Sequence, residues 1–134
     1  MSRISLFCLL AILLVLGPNC GHPTQLLSVS IAPSAATVFG RGVNGKVQFT
    51  ATGSFIHPTE TRDITRQVTW STTIADVATI DKNGLATSGL ACGFTPITAT
   101  AGHDIGVPFD DKAITSATAQ FTVADPSDPL CPKQ

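Results

Sequence analysis

The chain has 134 residues, which is enough for one domain. Charged residues make up 13% of it and the formal net charge is -1, so it lacks the basic surplus that a nucleic-acid-binding protein carries. Tyr is absent, and Thr, Ser, Ala, Val and Ile are frequent among many Gly and Pro. This composition favours short strands and turns over helices.

The N-terminal segment predicts export. Arg3 supplies a positive start, and an apolar run from Ile4 to Leu16 follows before Gly17-Pro18 ends it. This is the organisation of a secretory signal, and the run is shorter than the roughly 20 residues that a membrane-spanning helix needs. We therefore expect residues 1–20 to be a signal peptide and residues 21–26 a tether. An uncleaved membrane anchor is the alternative.

Cys20 follows shortly after the apolar run, in a placement that resembles a bacterial lipoprotein, whose new N-terminal cysteine carries the lipid. The lipoprotein pattern has Leu three residues before the cysteine and a small residue directly before it, where this chain has Gly17 and Asn19. Two outcomes stay open: Cys20 is lipidated, or the chain has an ordinary secreted N-terminus. Both place the protein in the cell envelope or outside it, as a membrane-anchored lipoprotein or as a secreted or periplasmic protein.

Alternation of apolar and polar residues predicts about seven short strands after the tether. They run from Leu27 to Ile31, Lys46 to Thr52, Gln67 to Ser71, Asp76 to Asp81, Gly84 to Ser88, Ile97 to Ala101 and Ala117 to Val123, with Val38-Phe39 as a short extension of the first. Asn83-Gly84 predicts a hairpin with a type I′ turn. Without a convincing helical pattern, these strands predict an all-β protein, a two-sheet sandwich of antiparallel strands over residues 27–125 with a tail at 126–134.

Trp70, the only tryptophan, lies on the third predicted strand. Val68 and Trp70 share one face of that strand, so we interpret Trp70 as a marker of the core. Its large ring would fill the space between two sheets, provided that its N–H finds a partner. An exposed, functional tryptophan is the alternative.

Cys92 precedes the sixth predicted strand and Cys131 follows the seventh. If these strands are antiparallel neighbours, the start of one lies beside the end of the other, and the two cysteines can form a disulfide. The bridge would close a loop of about 40 residues and constrain the unfolded chain by roughly 4 kcal/mol. Metal binding is the alternative, but no C-x-x-C or nearby His supports it.

Short segments across the chain resemble, in order and spacing, the bacterial immunoglobulin-like group 2 family, known from surface adhesins such as intimin and invasin relatives. The segments are Val29-Ser30-Ile31-Ala32-Pro33, Val47-Gln48-Phe49-Thr50-Ala51, Val68-Thr69-Trp70-Ser71, Val77-Ala78-Thr79-Ile80, Gly84-Leu85-Ala86-Thr87 and Ile97-Thr98-Ala99-Thr100. The resemblance covers Leu27 to Ala124 and implies an immunoglobulin-like sandwich that acts as a binding or spacer module at the cell surface. The cysteine pair and the length of the connections 55–65 and 102–115 depart from the family pattern.

These two connections are predicted loops that carry candidate binding residues. In an immunoglobulin-like topology they emerge at the same end of the sandwich, where Asn83 would also lie, and loops on a rigid scaffold often bind ligands. The candidates are His57, Glu60, Asp63, His103, Asp104, Asp110 and Asp111. One hypothesis is a loop-end site for calcium, a glycan or a protein; the alternative is a pair of solvated loops. Because no spacing typical of a calcium loop is present, we expect no cofactor and no metal.

No catalytic motif is visible, and Ser54 lacks the G-x-S-x-G frame of a hydrolase nucleophile. We therefore expect no enzyme. The sequence predicts an exported cell-surface module with a structural, adhesive or protein-binding role. Its expected partners are a cell-surface protein or glycan, and a membrane if Cys20 carries a lipid. The alternative is a small-ligand or calcium-binding periplasmic protein that uses the loops 55–65 and 102–115.

Overall fold

The computed structural model describes residues 23–42, 44–102, 105–106 and 115–131, and the predictions for Cys20, His103, Asp104, Asp110 and Asp111 lie outside these ranges. The described part has ten strands and contains no helix of the length and apolar character needed to cross a membrane. The strands are β1 (Gln25–Ala32), β2 (Ala35–Phe39), β3 (Lys46–Gln48), β4 (Thr50–Ile56), β5 (Glu60–Asp63), β6 (Thr69–Thr72), β7 (Ala78–Ile80), β8 (Leu85–Ser88), β9 (Gly93–Thr100) and β10 (Ser116–Ala124).

The strands form the two layers of an immunoglobulin-like sandwich. One layer is the four-stranded sheet β2-β10-β9-β6, and the other contains the groups β1-β4-β5 and β3-β8-β7. Strands β3 and β4 are two parts of one extended segment, separated only at Phe49, so this segment joins the two groups. It pairs with β8 along its first part and with β5 along its second. The predicted fold class is confirmed.

The predicted set of purely antiparallel strands differs from the structure at β2. The segment predicted as a short extension, Val38-Phe39, is the end of β2, and β2 pairs with β10 in parallel. The reason is the short connection at Pro33-Ser34, over which the chain passes from one layer to the other without reversing its direction. The amide of Gln120 donates to the carbonyl of Ser34 at 3.0 Å where the new pairing begins.

Strand β5 was missed because its four residues, Glu60–Asp63, are all exposed. A strand with no buried side carries no alternation of apolar and polar residues, which is the signal that sequence analysis reads. The predicted loop from Phe55 to Thr65 is therefore a hairpin in its first part. Strand β4 continues to Ile56, and β5 pairs with it from Glu60, opposite Phe55, to Asp63, opposite Thr52.

Trp70 lies between the two halves of the core. It is half-buried and packs against one cluster that includes Phe55 and Ile64 and against a second that includes Phe49 and Phe121. The rings of Phe49 and Phe121 meet edge to face with their centroids 6.3 Å apart. The indole Nε1 of Trp70 donates to the carbonyl of Thr65 at 2.8 Å, so its polar atom is satisfied.

The Asn83-Gly84 hairpin forms, but its turn differs from the prediction. A type I′ turn needs positive φ at both central residues, whereas only Gly84 of this pair has it, at 80°. The amide of Gly84 donates to the carbonyl of Asp81 at 3.0 Å, and the Asp81 carboxylate accepts from the amides of Asn83 at 2.8 Å and Leu85 at 3.0 Å. These bonds favour a loop that is longer than a two-residue type I′ turn and that ends at Gly84 in the left-handed conformation.

The predicted disulfide between Cys92 and Cys131 is confirmed, with a Cα–Cα distance of 5.5 Å. Strands β9 and β10 are antiparallel neighbours, and Gly93 lies opposite Val123. The chain after Ala124 therefore turns back beside the start of β9. Cys131 is 5% exposed, so this end of the chain is packed onto the sandwich.

Candidate functional site

The described parts of the two candidate loops lie at one end of the sandwich, where β1 begins. The hydroxyl of Thr24 donates to the carbonyl of His57 at 3.0 Å. The amide of Leu26 donates to the carbonyl of Gly106 at 3.0 Å. His57 itself has a positive φ of 61° and is exposed at the turn after β4.

Glu60 lies next to this end and contacts Arg62 on the same strand. The Arg62 guanidinium is 3.4 Å from the Glu60 carboxylate and sits 4.0 Å from the centroid of the Phe55 ring. These charged side chains cover the outer edge of the sheet at β5, and charges on an edge strand discourage pairing with another chain. Glu60 is thus engaged in an ion pair with a stacked arginine.

Asp63 does not share the loop end with His57. It lies opposite Thr52, three residues further along β5 than Glu60, which corresponds to about 10 Å along the strand. Its carboxylate accepts a hydrogen bond from the Thr65 amide at 2.8 Å. The Thr65 hydroxyl and then the Thr65 amide lower the pKa of Asp63. Asp63 therefore stabilises the turn that leads from β5 towards Trp70.

Asn83 also lies away from His57, at the point where the β3–β4 segment changes its partner from β8 to β5. The side-chain Nε2 of Gln48 donates to the backbone carbonyls of Phe49 at 2.8 Å and Asn83 at 2.7 Å. A polar cleft of about 450 Å³ opens at this point. Its lining residues are Gln48, Thr50, Asp63, Thr65, Arg66, Gln67 and Asn83. The sequence pattern does not predict this cleft, because separate strands and turns contribute its walls.

The residues after β10 form a second polar cluster around Arg41. The Arg41 guanidinium contacts the carboxylates of Asp125 and Asp128, each at 3.2 Å. The Ser127 hydroxyl and amide donate to Asp125 and lower its pKa, with a smaller contribution from Arg41. The cluster fastens the chain after Ala124 to the segment that follows β2.

Asp128 lies beside the disulfide, and ligand atoms of Cys92, Asp128 and Cys131 fall within 4.8 Å of one another. Such a group resembles a metal site only if its sulfurs are free. Metal binding by cysteine requires the thiolate, and both sulfurs here are joined to each other. We therefore interpret this group as a structural disulfide with the Asp128 carboxylate beside it.

The outer face of the four-stranded sheet carries an open hollow of about 360 Å³. Its lining residues are Ser34, Phe94, Pro96, Thr118, Ala119 and Gln120. Phe94 is 63% exposed although it lies within a strand. An aromatic ring held open on a regular sheet is a feature of binding surfaces, because it offers apolar area from a fixed position.

The fold and these features define the class of protein: an immunoglobulin-like β-sandwich closed by the disulfide between Cys92 and Cys131, with a polar cleft and an open hollow on its surface. Residues 27–107 match the family model for the bacterial Ig-like domain (group 2). The chain belongs to this family, as the sequence segments predicted.

A shorter similarity links the chain to Ice-binding protein 1 of Shewanella frigidimarina (strain NCIMB 400). The two are 47% identical over 57 residues, which is 42% of this chain and 6% of that protein. The chain thus spans a small fraction of the length of this curated relative.

Proposed function

We propose that this protein is an exported module of the cell envelope with a structural or adhesive, protein-binding role and no catalytic activity. Its family and its disulfide indicate an extracellular or envelope location. The proposal includes cleavage of the predicted signal directly before Cys20, and attachment to a membrane through a lipid on Cys20. A surface protein or glycan is the proposed partner.

One observation carries the non-catalytic, structural role. The carboxylates of Asp63, Asp81 and Asp125 each accept hydrogen bonds from a nearby turn. A catalytic acid or base would instead stand within reach of a nucleophile or a reacting proton in a cleft. These side chains build the scaffold, which supports a role in holding or displaying a surface.

Export and attachment are tested by expressing the full chain in a bacterial host and fractionating the cells. We expect the protein in the envelope fraction with Cys92 and Cys131 oxidised, and mass spectrometry of the N-terminus to show a lipid on Cys20. Cys20→Ala is the control and should be released from the membrane while its fold is kept. A cytoplasmic protein with reduced thiols would contradict export, and an unmodified N-terminus at another residue would contradict the lipid.

Adhesion is tested with the processed protein immobilised on beads and exposed to native envelope material. We expect selective retention of envelope components above that of beads carrying an unrelated disulfide-bonded protein. A variant in which the segment 102–115 is shortened shows whether that segment contributes to the retention of envelope components. Equal retention by both kinds of bead would contradict the adhesive role.

A second candidate function, a small-ligand or calcium-binding periplasmic protein, is favoured by the polar cleft at Asp63, Thr65 and Asn83. Its volume of about 450 Å³ lies within the range of small-molecule sites, roughly 300–1,000 Å³. Thermal melting with millimolar calcium tests the cation version. A raised melting temperature supports it, and an unchanged one contradicts it.

The name of the Shewanella frigidimarina relative describes ice binding by a much longer protein. The shared segment is 6% of that protein, so we do not extend ice binding to this chain.

A further inference from the structure

The two layers of the sandwich differ in charge. Strands β2, β6, β9 and β10 contain no Asp, Glu, Lys, Arg or His at all. The other layer carries Lys46 on β3 and Glu60, Arg62 and Asp63 on β5. The outer face of the four-stranded sheet, which we call the neutral face, is therefore uncharged within its strands.

Alternation along the strands decides which side chains form the neutral face. On β9 and β10 the residues Ile97, Ala99, Ala119, Phe121 and Val123 are buried, so the residues between them point outwards. The neutral face consists of Ala35, Thr37, Phe39, Thr69, Ser71, Phe94, Pro96, Thr98, Thr100, Ser116, Thr118, Gln120 and Thr122. Hydroxyl groups thus dominate it, with one amide and two exposed aromatic rings, Phe94 near its centre and Phe39 at its edge on β2.

The strand register arranges these hydroxyls in rows. Thr100 lies opposite both Thr69 and Ser116, and Thr98 lies opposite both Ser71 and Thr118. The hydroxyl oxygens of Thr98 and Thr118 are 3.4 Å apart. Neighbours within a row are about 4.8 Å apart and successive rows about 6.8 Å apart, as in any sheet. The result is a regular grid of groups that both donate and accept hydrogen bonds.

The hollow at Phe94 adds an apolar floor to this grid. Pro96 lies opposite Gln120 in the register. The side-chain Nε2 of Gln120 is 3.4 Å from the Thr122 hydroxyl oxygen. The exposed Phe94 ring and the Pro96 ring offer apolar faces, while Thr118 and Gln120 offer polar groups beside them. A few polar groups around an apolar base are typical of sites that bind small organic rings.

The dimensions of the neutral face fit an extended chain better than a folded protein. Strand β10 has nine residues, about 30 Å at the usual rise, and the four strands are about 19 Å wide. Their product, about 570 Å², is below the roughly 800 Å² that each partner buries in a standard stable protein interface. A second copy of this chain would find too little area there, whereas a narrow polymer could lie along β9 and β10.

We propose that the neutral face binds a neutral polysaccharide, with one sugar ring on Phe94 and Pro96 and sugar hydroxyls bonded to Thr118 and Gln120. Sugar rings have apolar faces and hydroxyl edges, which match the rings and the hydroxyl grid. An anionic polymer would lose hydration on this face without meeting a positive charge within its strands. This inference rests on the proposed adhesive function and names a ligand class and a surface for it.

The test is affinity electrophoresis of the processed full chain through native gels that contain hydroxyethyl cellulose, dextran or galactomannan, with alginate as the anionic comparison. We expect retardation in at least one neutral gel and none in alginate. Phe94→Ala should weaken binding about tenfold, since an aromatic contact is worth up to roughly 1.5 kcal/mol. Thr118→Val, which removes a hydroxyl and keeps the shape, should weaken it by a smaller factor.

Phe39→Ala is the matched control. Phe39 has the same exposed fraction as Phe94, 63%, and lies on the same sheet, but on the edge strand β2 and outside the hollow. We expect its binding to equal that of the unchanged protein. Because both rings are exposed, both variants should fold, and their melting temperatures verify this.

Three results overturn the inference. They are no retardation in any neutral gel, retardation that Phe94→Ala leaves unchanged, and retention of an envelope protein that Phe94→Ala abolishes. In the third case the face is a protein interface, and the proposed adhesive function stands without the polysaccharide. If the beads retain envelope material and no neutral gel retards the chain, the inference alone fails; if the beads retain nothing, the adhesive function fails as well.

Discussion

Gly84 and Trp70 are in such close contact that a β-carbon added to Gly84 would come within 3.1 Å of Cζ2 of Trp70. The same β-carbon would collide with the backbone carbonyl of Phe49. The amide of Phe49 donates to the carbonyl of Gly84 at 2.8 Å, which ties the turn to the strand below it. The β7–β8 hairpin therefore closes over the tryptophan, and glycine is needed at the point of closure.

Gly84→Ala should lower the free energy of unfolding by about 2–4 kcal/mol. Left-handed φ costs a residue with a β-carbon about 1–2 kcal/mol, and moving the Phe49 backbone adds to that cost. Urea unfolding followed by Trp70 fluorescence measures the change. Gly40→Ala is the control, because Gly40 has a similar φ of 87° but no atom within 4 Å of the added carbon. Equal losses in the two variants would show that the contact with Trp70 and Phe49 contributes nothing.

Removing the disulfide by Cys92→Ser with Cys131→Ser should cost about 4 kcal/mol, as expected for a closed loop of this length. The cysteines are 39 residues apart in sequence. Equilibrium unfolding with and without reductant measures the loss. Reductant should destabilise the unchanged protein by a similar amount and leave the double variant unaffected. A double variant as stable as the original would refute this role of the bridge.

Arg41→Gln should lower the free energy of unfolding by less than about 1 kcal/mol, because partly exposed ion pairs are weak and screened by salt. Arg41 contacts Asp125 and Asp128, each at 3.2 Å. The disulfide keeps the same segment in place, so the variant should retain its fold. Thermal melting of the variant and the unchanged protein at low and high salt measures this loss and its dependence on salt. A large loss that persists at high salt would assign Arg41 a greater role than its geometry supports.

Acid should weaken the β7–β8 hairpin through Asp81. The Leu85 amide, and to a lesser degree the Asn83 amide, lower the pKa of Asp81 below its ordinary value of 3.8. A carboxyl whose pKa is lowered by folding stabilises the protein fully above its ordinary value, and this stabilisation is lost as the pH falls through the lowered value. Asp81→Asn should therefore be less stable at pH 7 and should show a smaller drop in stability on acidification below pH 3.8.

The control for acid unfolding is Asp76→Asn. In the described structure the Asp76 carboxylate accepts no hydrogen bond, so this change removes the same charge without removing a bond to the β7–β8 turn. Urea midpoints measured from pH 7 down to acid unfolding give both profiles. Identical profiles for Asp81→Asn and the unchanged protein would exclude Asp81 as a source of the pH dependence.

Sequence patterns predicted those parts of the fold in which burial alternates along a strand. Strands β9 and β10 follow this rule, and their antiparallel pairing made the bridge between Cys92 and Cys131 predictable. Strand β5 does not follow it, since all its residues are exposed. The parallel pairing of β2 depends on how the chain passes Pro33, which no periodicity records.

The candidate sites were less predictable because they depend on distance between strands. His57 and Asp63 are near in sequence, yet the β4–β5 hairpin separates them along its length. The polar cleft joins Gln48 to Asn83 across two strands. The absence of charge from four strands can be read from the sequence, but the register that turns them into one face cannot.

The bridge from Cys92 to Cys131 also determines how the protein would respond to being pulled. A tension applied beyond Cys131 would pass through the sulfur atoms directly to the start of β9. Strands β9 and β10 would then lie outside the covalent path of the force, and the 39-residue separation would withhold about 130 Å of extended chain from stretching while the bridge is intact. Strands β9 and β10, with Phe94 and Pro96 on them, would keep their covalent closure while the other strands were drawn out.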